Sequence, residues 1–113
     1  MTDRELLEAA AKAAGILIYF DDVGQCCQRV PGDQLSTYLW EPLEDDGDAL
    51  RLAVKLRLRV CTPTTDTDCA LVSNGNVVAY SEDELEEVTI TDLYAATRRA
   101  IVRAAAEIGK AMK

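Results

Sequence analysis

The sequence predicts an α+β fold: a mainly antiparallel sheet of four to five strands layered with three helices, in the order α-β-β-α-β-β-β-α. Three observations predict it. Apolar residues recur at helical spacing in three separated segments. Short runs rich in β-branched and aromatic residues lie between those segments. One pair of such runs is joined by Asn74-Gly75, a strong hairpin signal. The 113 residues suit a single domain spanning 1–113, and 49% apolar residues are enough for one core. With only 5% aromatic residues, that core should be built mostly from Ala, Leu, Val and Ile.

The first helix is expected over residues 3–14. Thr2-Asp3-Arg4-Glu5 reads as a capping box, in which the Thr2 hydroxyl takes the Glu5 N–H and the Glu5 side chain returns to Thr2. Leu6, Leu7, Ala10 and Ala14 mark one face, and Gly15 supplies a left-handed stop. Ile16-Leu17-Ile18-Tyr19-Phe20 reads as a strand buried on both faces. Residues 21–34 (DDVGQCCQRVPGDQ) read as turn-rich, with a strand at 35–40. A second helix over 46–56 follows from Ala49, Leu50, Ala53 and Val54, with Leu52 and Leu56 at similar spacing. Leu56-Arg57-Leu58-Arg59-Val60 then alternates as a strand does. Residues 69–80, CALVSNGNVVAY, predict a hairpin turning at Asn74-Gly75, with Val72 facing Val77 and Leu71 facing Val78. A last helix over 91–111 has Leu93, Ile101, Ala104, Ala105, Ile108 and Met112 as its apolar stripe.

Charge narrows the possible functions. The net charge is −8; residues 91–113 contribute +3 and the remaining residues −11. Such a chain is not expected to bind a phosphate backbone directly. The sequence has no His, which excludes Ser-His-Asp and Cys-His catalysis and any His-ligated metal. Cys26, Cys27, Cys61 and Cys69 are spaced C-C and C-x7-C, not as a zinc site requires. They are expected to be free thiols, with Cys26 and Cys27 in a loop. No run of eighteen apolar residues occurs, so no membrane span is expected. The N-terminal MTDRELLEAAAKAAG has acids and no continuous apolar stretch, unlike a signal peptide. The expected location is therefore cytoplasmic.

The stretch WEPLEDDGDALRLAVKL, residues 40–56, places Glu44, Asp45, Asp46 and Asp48 before an apolar run. A divalent-metal site is one reading, but the calcium-loop spacing fails and no further acid or base can be named. Helix capping accounts for the acids more simply, with Asp45 or Asp46 as the cap. No metal, cofactor or catalytic residue is expected.

Three blocks carry a resemblance: MTDRELLEAAAKAAGI at 1–16, WEPLEDDGDALRLAVKL at 40–56 and YAATRRAIVRAAAEIGKAM at 94–112. Together they resemble the phage ABA sandwich domain family of small phage and prophage proteins. The resemblance implies a sheet between helical layers and a phage or prophage origin, with no activity to carry over. The expectation for function is a non-enzymatic accessory protein that binds a protein partner, such as an anti-CRISPR-like inhibitor of a bacterial defence complex. The acids Glu82, Asp83, Glu84, Glu86 and Glu87 are the candidate contact surface, and Arg98, Arg99 and Arg103 a secondary basic one. Alternatives are a self-associating assembly factor using its Ala-rich helices, and a metal-dependent carboxylate enzyme.

Overall fold

A computed structural model describes residues 2–30, 33–61, 71–73, 78–80 and 90–112. The described elements are α1 (Asp3–Ala14), β1 (Ile18–Phe20), β2 (Cys26–Val30), β3 (Asp33–Leu39), α2 (Asp46–Lys55), β4 (Arg59–Cys61), β5 (Leu71–Ser73), β6 (Val78–Tyr80) and α3 (Ile90–Ala111). The α+β class holds, and every described strand pairing is antiparallel. The single sheet of four to five strands does not. Two three-stranded sheets form instead, β1-β2-β3 and β4-β5-β6.

The missing strand is β2. Its residues, CCQRV, lie inside the segment read as turn-rich. The ladder pairs Val30 with Asp33, so β2 and β3 form an antiparallel hairpin. Residues 31–32 themselves lie outside the described residues.

The hairpin expected around Asn74-Gly75 has its two flanking strands paired antiparallel, but in a different register. Val72 faces Ala79 and Ser73 faces Val78, rather than Val72 facing Val77. Residues 74–77, and with them the turn expected at Asn74-Gly75, lie outside the described residues.

Both shorter helices start as their sequences dictate. The Thr2 hydroxyl accepts the Glu5 N–H at 3.2 Å and itself donates to the Glu5 carboxylate at 3.1 Å. Gly15 ends α1 at φ 70°, and Ile16 N–H returns to the Ala11 carbonyl. The C-terminus of α2 has the same wrap without glycine. Arg57 takes φ 55°, and Leu58 N–H reaches the Ala53 carbonyl at 2.9 Å.

One core joins all three helices and both sheets. It holds Leu6, Ala10, Ala11 and Ala14 of α1, Cys26 of β2, Trp40 just after β3, then Ala49, Leu52 and Ala53 of α2, Val72 of β5, and Ala100, Ile101, Val102, Ala104, Ala105 and Ala106 of α3. Three consecutive buried residues twice over mean that α3 is covered on most of its sides, as a central helix is. That is more than the single stripe expected, while Met112, placed in that stripe, is exposed. Small residues let the helix backbones approach closely: a Cβ on Gly109 would fall on the Ala9 carbonyl oxygen. On α2 the buried face is Ala49, Leu52 and Ala53; Leu50 and Val54 turn outward.

The N-terminal sheet has two unlike faces. Ile18, Phe20, Cys26 and Trp40 lie on the core face. Leu17, Tyr19, Cys27 and Leu39 alternate onto the other face. Leu17 is 64% exposed and Leu39 46% exposed, so this strand segment is not buried on both sides as expected. No helix among the described residues is long and apolar enough to cross a membrane.

Candidate functional site

The acids before α2 are held by the fold. Asp45 is the N-cap, and its carboxylate accepts the Asp48 N–H at 2.8 Å. Asp48 accepts the Glu41 N–H at 2.9 Å and the Arg51 guanidinium at 2.8 Å. Asp46 pairs with Arg98 at 2.6 Å. Each of the three carboxylates thus has a donor from the chain, which supports the capping interpretation.

Arg98 does not belong to an open basic surface. Its side chain is only 13% exposed. Besides the pair with Asp46, its Nε donates to the Leu43 carbonyl at 2.9 Å. Burial against residues 43–46 turns it into a tie between α3 and the segment leading into α2. Arg99 reaches Asp3 of α1 at 3.0 Å, joining α3 to α1. Arg103 is half-buried. The acids Glu82, Asp83, Glu84, Glu86 and Glu87 lie outside the described residues.

The structure places another group of acids around a concave site. A cleft of about 250 Å³ opens between the start of α1, the β1–β2 connection and residues 40–44. Leu7, Phe20, Cys26, Trp40 and Leu43 form its apolar lining. Asp3, Glu41 and Glu44 supply three carboxylates.

Local structure fixes these walls. Asp21 builds the β1–β2 connection: its carboxylate accepts the N–H groups of Val23 at 3.0 Å and Gln25 at 2.8 Å. Gly24 completes the bend at φ 85°. On the opposite wall, Trp40 N–H extends the sheet by bonding the Cys26 carbonyl at 2.9 Å. The chain then turns at Pro42, where Glu44 and Asp45 N–H groups both reach the Glu41 carbonyl. With Arg98 holding Leu43 and Asp48 holding the Glu41 N–H, residues 41–44 are fixed at both ends.

The carboxylates differ in their commitments. Asp3 is paired with Arg99. The side chains of Glu41 and Glu44 have no hydrogen-bond or ion-pair partner among the described residues. The sequence carried a signal for them that went unused: both acids flank Pro42-Leu43 directly after a tryptophan, in a segment read only as a helix lead-in.

Cys26 lines the cleft from β2, in a strand rather than a loop. Burial, then the neighbouring Cys27, Glu41 and Glu8, push its thiol up to about 11. It is therefore protonated at neutral pH and a poor nucleophile. Cys27 is also buried, Cys61 is exposed, and all three thiols are free. Cys69 lies outside the described residues. Among the described residues, no group of three or more Cys, Asp or Glu is placed to hold a metal ion. Comparison with family models, curated proteins and solved structures finds no match to this chain.

Proposed function

We propose that this protein works by binding a basic surface on a protein partner. The observation that carries this reading is the cleft, where Glu41 and Glu44 line an otherwise largely apolar hollow without partners among the described residues. Unpaired carboxylates at a concave apolar site attract cationic groups, and the net charge of −8 adds long-range steering. The run Glu82, Asp83, Glu84, Glu86 and Glu87 would extend the same negative field. Together with the resemblance to small phage proteins, this supports an accessory protein that inhibits a bacterial defence complex, anti-CRISPR-like in character and acting in the cytoplasm of the host cell.

Tagged protein incubated with purified defence complexes tests the reading. Specific binding should weaken as salt rises, because exposed charges are screened beyond roughly 8 Å at physiological ionic strength. Reversal of Glu84, Glu86 and Glu87 to Lys should reduce both binding and protection of phage. Binding that is indifferent to salt and to charge reversal would sink it.

Self-association is a second reading, favoured by a separate observation. The Ala faces of α3 that suggested it are used inside the chain, with Ala100, Ala104, Ala105 and Ala106 at 0% exposure. The outer face of the N-terminal sheet, however, leaves Leu17 and Leu39 open to solvent. A dimer formed through that face should dissociate in a Leu17→Glu, Leu39→Lys double variant, as read by sedimentation. A parent chain that is monomeric at all concentrations removes this reading.

A further inference from the structure

We infer that the cleft receives an arginine side chain presented by a protein partner. The inference rests on the reading of this protein as a binder of basic partners and names what the site would recognise. Size is the first argument. At about 250 Å³ the cleft falls below the roughly 300–1,000 Å³ of ordinary small-molecule pockets. It suits one long side chain better than a whole metabolite.

Chemistry selects among the long side chains. An acidic one would be repelled by Glu41 and Glu44. A purely apolar one would fill the lining of Leu7, Phe20, Trp40 and Leu43, yet would desolvate two carboxylates without pairing them. A cationic chain with an apolar stem satisfies both parts, the stem along the floor and the charge at the mouth. Arginine fits better than lysine. Its guanidinium is more weakly hydrated than an ammonium, and its fork can serve two carboxylates at once. The Phe20 ring carries the chain's own Arg4, 4.3 Å from its centroid, so the incoming charge is left to Glu41 and Glu44.

The surroundings leave the mouth negative. The arginines around the cleft are engaged, Arg98 by Asp46 and Leu43, Arg99 by Asp3, and Arg4, over the Phe20 ring, by Glu8. Val23, at 81% exposure, stands at the edge and offers apolar contact to a residue next to the incoming arginine.

Trp40 is the only tryptophan in the chain and lines the cleft, so its fluorescence reports occupancy directly. The probe is N-acetyl-arginine amide, titrated into the whole protein and followed by Trp40 emission and backbone amide shifts. The controls are the citrulline and norleucine amides, which keep the shape or the stem without the charge. A saturable response with a dissociation constant of about 1 mM is expected for arginine. It should weaken about tenfold for citrulline, and about tenfold in a Glu41→Gln, Glu44→Gln double variant whose circular dichroism matches the parent. Equal responses to arginine and citrulline, an undiminished response in the folded double variant, or no saturation with arginine would each overturn the inference. Salt-sensitive capture of a partner that the double variant binds as well as the parent would also overturn it, while leaving the broader reading intact. A clean arginine response with no basic partner bound would instead sink the broader reading.

Discussion

Asp45, Asp46 and Asp48 lie within seven residues of Glu41 and Glu44, yet the two groups are held in opposite ways. The aspartates face the helix start and α3, where N–H groups and arginines neutralise them. The glutamates face the cleft and have no partner among the described residues. Both groups are short stretches of acid around a turn. What separates them is whether the fold supplies a donor. A carboxylate with a capping bond and an arginine has its charge spent on stability; one over an apolar floor keeps it for another molecule.

Removing the tie that keeps the groups apart should have the largest effect. Arg98 holds Asp46 with one nitrogen and the Leu43 carbonyl with another, in a mostly buried position. A charge-assisted bond of this kind contributes about 1.5–3 kcal/mol. Arg98→Ala should therefore lower stability by about 2 kcal/mol in urea unfolding, with an unchanged slope. It should also shift Trp40 emission, since residues 40–44 lose an anchor. Arg98→Lys should recover only part of the loss, because an ammonium cannot reproduce the two-pronged geometry. A loss below about 0.5 kcal/mol for the alanine variant, the level of ordinary surface changes, would mean that the segment is held by its own turn.

The helix cap comes next. Asp45→Ala leaves the Asp48 N–H without its acceptor and should cost about 1 kcal/mol. Asp45→Asn keeps the acceptor and removes the charge, so it should cost a few tenths at most. If asparagine proves as harmful as alanine, the charge of Asp45 matters more than its cap, and the line between the two acid groups blurs.

The contrast also marks how far the sequence could be read. The helix limits came from local rules: Thr2, Gly15 and Asp45 act within one turn of their own residues. Those limits needed no tertiary knowledge and fell within a residue of the observed ones for all three helices. β2 was missed because Cys26-Cys27-Gln28-Arg29-Val30 has no clear alternation of apolar and polar residues. It is a strand because it is the middle one of three, with partners on both sides. The outward turn of Leu50 and Val54 was hidden similarly, since the apolar pattern on α2 is wider than the face that α3 covers. The cleft depended on three segments far apart in sequence, around residues 3–7, 20–26 and 40–44. No local pattern could join them. Charge counting pointed instead to residues 82–87, where acids are densest.

The smallest expected effect tests the other side of the comparison. Glu41 and Glu44 contribute no bond to the fold among the described residues. Replacing both with Gln keeps their volume and removes two charges that have no donor to lose. Stability should then change by less than about 0.5 kcal/mol, the usual range for surface positions. Any change should be a gain, since two nearby negative charges in a chain of net charge −8 repel each other and their acidic neighbours. Added salt should shrink that gain by screening the repulsion in the parent. The same unfolding measurement used for Arg98→Ala decides the matter. A destabilisation of 1 kcal/mol or more, the scale of the Asp45 cap, would show that these glutamates are structural after all. The two acid groups would then be one, and the cleft would lose its claim to a partner.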